Sequence, residues 1–280
     1  MRSPDQPFNP MMALRDRTAV VTGAANGLGR ALAVELHRQG CHLALIDLDG
    51  EGMALLQQML GRENPRLTVH CLDVSDEQAV VEARNEILAI HPGIDLLINN
   101  AGISISRRFA EMEPDDFCRV MAVNFWGAVH CTRHFLPDLM ARPGSRLVNI
   151  TSDFALLGFP GKTAYGASKG ALSSFTLSLQ TELGGRGPAV CLVIPPPMDT
   201  GLVRNNPHAT ATTRAREVNF LSRHGMPLPR AAARIVRGIR RGRRRIAVGA
   251  MMYWLDACTR LFPSALQGWI ARNKTLQKFA

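Results

Sequence analysis

Tyr165 and Lys169 stand four residues apart in Tyr165-Gly-Ala-Ser-Lys169, a spacing that puts both side chains on one face of a helix. A free phenol ionises near pH 10 and is a poor base at neutrality. An ammonium group beside it favours the phenolate and brings the hydroxyl into the range of acid–base work. Ser152 lies thirteen residues upstream of Tyr165, after a strand-like apolar run, and offers a hydroxyl that can stabilise charge developing on a substrate oxygen. The three together read as machinery that moves a proton at an oxygen while hydride moves at the attached carbon. Singly, each has an ordinary alternative: Ser152 a loop cap, Tyr165 a core aromatic, Lys169 a solvated helix charge.

A second set of residues opens the chain. Thr22-Gly23-Ala-Ala-Asn26-Gly27-Leu28-Gly29 follows a strand-like run and precedes a helical one. Glycines there let backbone approach a pyrophosphate, and a helix N-terminus adds free N–H groups and positive dipole. The spacing Gly-x-x-x-Gly-x-Gly differs from the standard dinucleotide fingerprint, so the strand–loop–helix context carries the reading. Asp47 closes the second strand eighteen residues beyond Gly29, where a carboxylate can accept both hydroxyls of an adenosine ribose. It would repel a 2′-phosphate, and Leu48 and Asp49 follow it rather than arginine. The expected cofactor is NAD rather than NADP; the alternative is that Asp47 only caps the next helix.

These residues must be positioned by the elements between them. Strand-length apolar runs at 18–22, 42–47, 67–72, 94–99, 146–151, 189–194 and 246–248 alternate with helical stretches near 28–39, 52–60, 77–91, 114–141 and 164–183. Short, continuously apolar strands separated by helices predict a parallel sheet covered on both faces, doubly wound by right-handed crossovers. The polar stretch 199–229 follows a strand and reads as a lid over the ligand edge, the alternative being a surface excursion.

Composition sets the class. The chain has 280 residues, 46% apolar and 20% charged, as in a globular protein with a large core. Six scattered cysteines with no Cys-x-x-Cys pair argue against a disulfide framework or zinc site and for a reducing, cytoplasmic setting. His130 and His134, four apart, read as an exposed helix face rather than a metal pair, so no metal is expected. Residues 1–200 carry 17 Lys/Arg and 21 Asp/Glu, a net of −4, whereas residues 201–280 carry 16 Lys/Arg and only Glu217 and Asp256, a net of +14. The basic C-terminal portion therefore calls for an anionic partner.

The ordered set Thr22–Gly29, Asp73-Val74, Asn99-Asn100-Ala101-Gly102, Asn124, Ser152, Tyr165, Lys169 and Pro195…Thr200 resembles the classical short-chain dehydrogenase/reductase family over roughly residues 15–250. The resemblance implies a single-domain α/β doubly wound Rossmann fold with a parallel sheet of about seven strands, and oxidoreduction at CH–OH groups. It implies that Gly23, Asn26, Gly27, Leu28, Gly29 and Asp47 bind cofactor, that Asp73 and Val74 border the adenine, and that Asn99, Asn100, Ala101 and Gly102 brace the sheet and cofactor backbone. Ser152 would bind the substrate oxygen, Tyr165 exchange its proton, and Lys169 bind the nicotinamide ribose and lower the Tyr165 pKa. Asn124 would hold a water linking Lys169 to solvent, and Pro195, Met198 and Thr200 would face the carboxamide. A homodimer or homotetramer is implied as well. One departure is Pro195-Pro196-Pro197, where the family has Pro-Gly; Pro196 removes an N–H and fixes φ.

This reading divides the chain into a flexible lead-in at 1–14, a dehydrogenase unit at 15–250 and a helical extension at 251–280. Phe154, Leu156, Leu157 and Phe159 favour a small hydrophobic alcohol or ketone as substrate, or else pack the loop onto the core or an oligomer interface. Eight arginines between 230 and 245, followed by Met251-Met252-Tyr253-Trp254-Leu255, Leu261-Phe262, Leu266 and Trp269-Ile270, have the composition of a segment lying in a membrane interface. Met251, Leu255, Cys258 and Phe262 also repeat at helical spacing, so packing on the body or a partner subunit explains them too. Nucleic acid is not expected, because no binding motif accompanies the charge. The competing functions are an NADP-dependent carbonyl reductase and a non-catalytic NAD-binding regulator or scaffold.

Overall fold

The strands β1 (Thr18–Thr22), β2 (His42–Asp47), β3 (Leu67–Cys71), β4 (Leu96–Asn99), β5 (Arg146–Ile150), β6 (Ala189–Ile194) and β7 (Arg245–Ala247) form one parallel sheet in the order β3-β2-β1-β4-β5-β6-β7. The computed structural model describes residues 11–61, 64, 66–200, 218–219, 221–222, 225–273 and 276. Between the strands run α1 (Gly27–Arg38), α2 (Gly50–Leu60), α3 (Glu77–Ile90), α4 (Pro114–Met121), α5 (Gly127–Met140), α6 (Thr163–Leu183) and α7 (Leu228–Arg240), and the chain continues into α8 (Ala250–Leu261) and α9 (Pro263–Arg272).

Successive strand residues point to opposite faces, and both faces are covered, which is why the strands read as unbroken apolar runs. Val21, Leu43, Leu45 and Val193 pack against Leu32 and Leu36 of α1 and Ile235, Val236 and Ile239 of α7. On the other face Val20, Ile46, Leu97 and Leu147 meet Val80 and Ile87 of α3, Phe135 and Leu139 of α5, and Leu179 of α6. The strand order reverses between β1 and β4, so the loops leaving β1, β4 and β5 open on a common crevice at the carboxyl edge, where ligands bind in such sheets.

Four expectations need correction. The single helix expected over 114–141 is α4 and α5 joined by a π-helical turn, Ala122–Trp126. This wide turn carries the fully buried Asn124, and such turns insert an extra residue that redirects side chains. The arginine-rich run at 230–245 begins as the amphipathic helix α7: Ala231, Ala232, Ile235, Val236 and Ile239 are buried at helical spacing while arginines fill the outer positions. Met12 and Leu14 do not belong to a loose lead-in; they are buried, and Met12 N donates to Arg240 O at 2.8 Å. In the C-terminal extension, Met252 and Leu255 pack on Leu192, Ile194 and Ala247, whereas Met251 and Phe262 are exposed.

Residues 1–10 and most of the expected lid (201–217, 220, 223 and 224) lie outside the described residues. Among the described residues no helix is long and apolar enough to cross a membrane.

Candidate active site

α6 begins at Thr163 and runs for 21 residues, so Tyr165 and Lys169 occupy successive turns of its first half and both are buried. Lys169 Nζ lies 5.9 Å from the centre of the Tyr165 ring and donates to Ile150 O, the last carbonyl of β5, at 3.0 Å. Ser152, two residues beyond that strand, is held in extended backbone (φ −157°, ψ 161°), and its hydroxyl lies close enough to the Tyr165 phenol to favour the phenolate. Phe154 sets its ring edge-on to Tyr165 at 6.0 Å and packs on Phe159 at 5.1 Å, forming an aromatic wall beside the hydroxyl.

Burial drives the two ionisable groups toward their neutral forms. It pushes the Tyr165 phenol up to about 12, a rise opposed by the Ser152 hydrogen bond and reinforced by the negative field of Asp153. Desolvation also pushes the Lys169 ammonium down to about 8.

Asn124 locks the segment after β4 against α6. Its Oδ1 accepts from Ile103 N at 2.7 Å, and its Nδ2 donates to Ile103 O at 2.9 Å and to Ser168 Oγ at 3.0 Å. A Cβ on Gly102 would stand 3.1 Å from Asn124 Oδ1 and 3.4 Å from Lys169 Nζ. Glycine at 102 therefore keeps backbone close to both polar groups.

The glycine loop leaves the N-terminus of α1 without a side-chain cap. Asp49 caps α2 by accepting from Gly52 N, and Asp76 caps α3 by accepting from Gln78 N and Ala79 N. Asn26, at the corresponding place on α1, makes no side-chain cap, and no acidic residue lies in that first turn; its amide reaches Asp49 Oδ2 instead, at 2.7 Å. The uncapped N–H groups and dipole of α1 suit a pyrophosphate. Gly23 has φ +66°, and a Cβ there would lie 2.7 Å from Ala101 Cα; on Gly29 it would lie 1.9 Å from Gly23 O. Asn100 Nδ2 donates to the carbonyls of Thr22 and Gly23, both at 3.0 Å, which ties the β1 and β4 loops together.

Asp47 Oδ2 accepts from Ala25 N at 2.8 Å and Oδ1 from Asp49 N at 3.0 Å. A carboxylate has about four acceptor positions, so two remain for ribose hydroxyls. Asp73 binds Ser75 N and Oγ, and Val74 is buried against Gly127. Thr200 closes over Gly27, and Met198 packs into the core rather than standing free. These residues fit a dinucleotide.

Beyond the loop that follows Ser152, a cavity of about 550 Å³ is lined by Leu156, Leu157, Thr259, Pro263, Leu266 and Gln267, among others. Gln267 of α9 clasps the loop, donating to Gly158 O at 3.1 Å and accepting from Gly158 N at 3.2 Å. Sequence reasoning missed this contribution of α9, since nothing in the 251–280 segment marks it as a neighbour of residues 156–158. It also passed over Asp153, although an acid directly after the serine is visible in the chain. His134 bonds Glu77, and among the described residues no group of three or more metal-ligating side chains occurs.

A family model described as short chain dehydrogenase matches residues 17–211. The chain belongs to the short-chain dehydrogenase family. It is 33% identical over 265 residues to SadH of Mycobacterium tuberculosis, an oxidoreductase by name, with 93% of this chain and 96% of that protein covered. A short-chain dehydrogenase/reductase from Burkholderia phymatum, solved in complex with NAD, superposes with a TM-score of 0.82 at 27% identity, covering 94% of this chain and 98% of that one. One from Burkholderia cenocepacia, in complex with NADP, gives 0.76 at 25% identity, covering 94% and 100%. The family thus binds NAD(P), and the fold accommodates either form.

Within this short-chain dehydrogenase, burial of Lys169 has a thermodynamic signature. Its folded pKa lies below the unfolded value of 10.5, so its contribution to stability is fully present above that value and lost as pH falls through about 8. At pH 7 the buried ammonium is a net cost. Lys169→Met should stabilise the cofactor-free protein at pH 7 by about 2 kcal/mol, the desolvation cost less the hydrogen bond to Ile150. That advantage should shrink between pH 8 and 10.5. Denaturant unfolding across this range checks both statements, and a variant less stable at pH 7 contradicts them.

Proposed function

We propose that this short-chain dehydrogenase uses NAD(H) to interconvert a secondary alcohol and a ketone on a small hydrophobic substrate. The reading rests above all on the convergence of Ser152, Tyr165 and Lys169 in one buried site at the edge where the glycine loop opens. A bound nicotinamide would supply or accept the hydride, and its oxidised ring would add positive charge to the site. Held by Ser152, the substrate oxygen meets Tyr165 Oη, which gives its proton in reduction and receives one in oxidation. Lys169 reinforces the phenolate when it forms and offers its ammonium to the nicotinamide ribose. Asn124, by fixing Ile103 and Ser168 around Lys169, shapes the route by which that proton exchanges with solvent. A pure cofactor-binding regulator would need none of these groups.

The Asp47 carboxylate supports NAD over NADP, because its charge at the ribose edge opposes a 2′-phosphate. Phe154, Phe159, Leu157 and the cavity shared with α8 and α9 support an apolar substrate body. The six free cysteines support a reducing, cytoplasmic setting. Exposed Trp126, Met140 and Leu177 support a homodimer or homotetramer, the kind of assembly typical of the family. We assign residues 15–250 to the dehydrogenase unit and 251–280 to an appended helical extension.

That extension also supports contact with an anionic membrane surface. Met251, Trp254 and Leu261 share one face of α8 and are exposed, as are Phe262 and Trp269. Arg260 and Arg272 stand beside them, and residues 201–280 carry a net charge of +14. A second copy laid on this face would bring like charges together, whereas anionic headgroups satisfy both features.

Two experiments test these readings. Screened against hydrophobic alcohols and ketones, Tyr165→Phe should lose about a thousandfold in turnover while keeping its NAD affinity, and NAD should bind at least about tenfold more tightly than NADP. Retained turnover, or tighter NADP binding, contradicts the corresponding part. In flotation with vesicles containing phosphatidylserine, the full chain should rise with the lipid and a chain ending at residue 249 should not; equal behaviour removes the membrane reading.

A further inference from the structure

Asparagine is among the best residues for starting a helix, because its side-chain oxygen can accept from the free N–H groups of the first turn. Asn26 stands at that place on α1, in extended backbone (φ −141°, ψ 170°), and makes no such bond. Its amide is held from both ends instead. Nδ2 donates to Asp49 Oδ2 at 2.7 Å, and Oδ1 accepts from a guanidinium N–H of Arg30 at 3.4 Å. A carboxylate only accepts and a guanidinium only donates, so an amide between them has one orientation. The oxygen that would cap α1 is thereby turned to Arg30, which is itself anchored by Nε donating to Ala25 O at 2.7 Å.

The start of α2 places Asp49 for this contact. Oδ1 accepts from Gly52 N at 2.9 Å and caps α2, which leaves Oδ2 for the glycine loop. Gly52 makes room for that second oxygen: a Cβ there would stand 2.5 Å from Asp49 Oδ2 and 3.0 Å from Ala25 Cβ. Asp47 joins the same two segments, accepting from Ala25 N and from Asp49 N. One carboxylate thus closes the N-terminus of α2 while holding that of α1 open.

We infer that Asp49 is a positioning residue for the cofactor: by drawing Asn26 away from its own helix, it keeps the N–H groups of Leu28 and Gly29 free for a pyrophosphate. The inference rests on the dinucleotide reading of the glycine loop and adds the device that keeps this loop available. Asp49→Asn separates the role from the α2 cap. The new side chain can still cap α2 with its oxygen, but it then turns an amide N–H towards the Asn26 amide, donor against donor. Released, Asn26 caps α1 and competes with the ligand.

Calorimetric titration with ADP, which carries a pyrophosphate, and with adenosine, which does not, measures that competition. Because the substitution also removes a charge, it is compared in two backgrounds. Asp49→Asn should weaken ADP binding by about fivefold relative to its effect in Asn26→Ala, where no side chain is left to cap α1. Adenosine should show no such difference between backgrounds. In the ligand-free protein, amide hydrogen exchange at Leu28 or Gly29 should slow in Asp49→Asn and not in the double variant. Should the asparagine variant fail to fold, Asp49→Ser, which can cap α2 but is too short to hold Asn26, carries the same expectations. An equal effect on ADP in both backgrounds, a difference as large for adenosine, or unchanged exchange at both amides overturns the inference. Slowed exchange in a protein that binds no ADP would defeat the dinucleotide reading while leaving the control of Asn26 by Asp49 intact.

Discussion

Tyr165 and Lys169 share a volume from which water is excluded, and burial acts on them in opposite senses. The phenol is pushed up to about 12 and the ammonium down to about 8, so without cofactor the phenolate is disfavoured and the amine is poorly solvated. Neither condition serves stability. In the proposed function, the oxidised nicotinamide would bring the positive charge that offsets this cost. The expectation that Lys169 lowers the phenol meets an opposing effect: desolvation by burial is the largest influence on Tyr165 and raises it.

Holding two such groups in place requires a rigid frame beneath them. Asn99 of β4 donates to Asn149 Oδ1 of β5 at 2.8 Å, and Asn149 donates to Thr176 Oγ1 of α6 at 2.9 Å. This buried polar rung ties the helix to the sheet about two turns beyond Lys169, with Asn99 Oδ1 left as its one atom without a partner among the described residues. Asn124 does the same on the other side, from the π-helical turn to Ile103 and Ser168. Both devices bond α6 to its neighbours through side chains of defined geometry, so the orientation of Tyr165 follows from the frame and not from contacts of its own ring alone.

The sheet was readable because every strand is buried on both faces and so appears as an unbroken apolar run; each expected strand falls within two residues of the observed one. The proximity of Tyr165 to Lys169 and the place of the glycine loop were readable because a four-residue helical spacing and a strand–loop–helix pattern fix them. Other features were hidden for physical reasons. Helix α7 was masked because its arginines dominate composition while its narrow apolar face mixes small Ala231 and Ala232 with Ile235, Val236 and Ile239. The π-helical turn has no sequence signal of its own, since it arises from tertiary bonds of Asn124 to residues far away in the chain. The cavity beside Leu156 and Leu157 depends on how α9 folds back, a long-range contact that local periodicity does not encode.

The central claim is that Tyr165 becomes a base only when an oxidised nicotinamide lies beside it. The most direct measurement is the ultraviolet phenolate difference signal of the single-tyrosine protein, Tyr253→Phe, at one fixed alkaline pH within the folded range, on adding saturating NAD+ or NADH. The account predicts that NAD+ raises the phenolate signal severalfold, because its ring is positively charged, and that NADH, whose ring is neutral, leaves it near the cofactor-free level. A signal unchanged by NAD+, or raised equally by both forms, would contradict it.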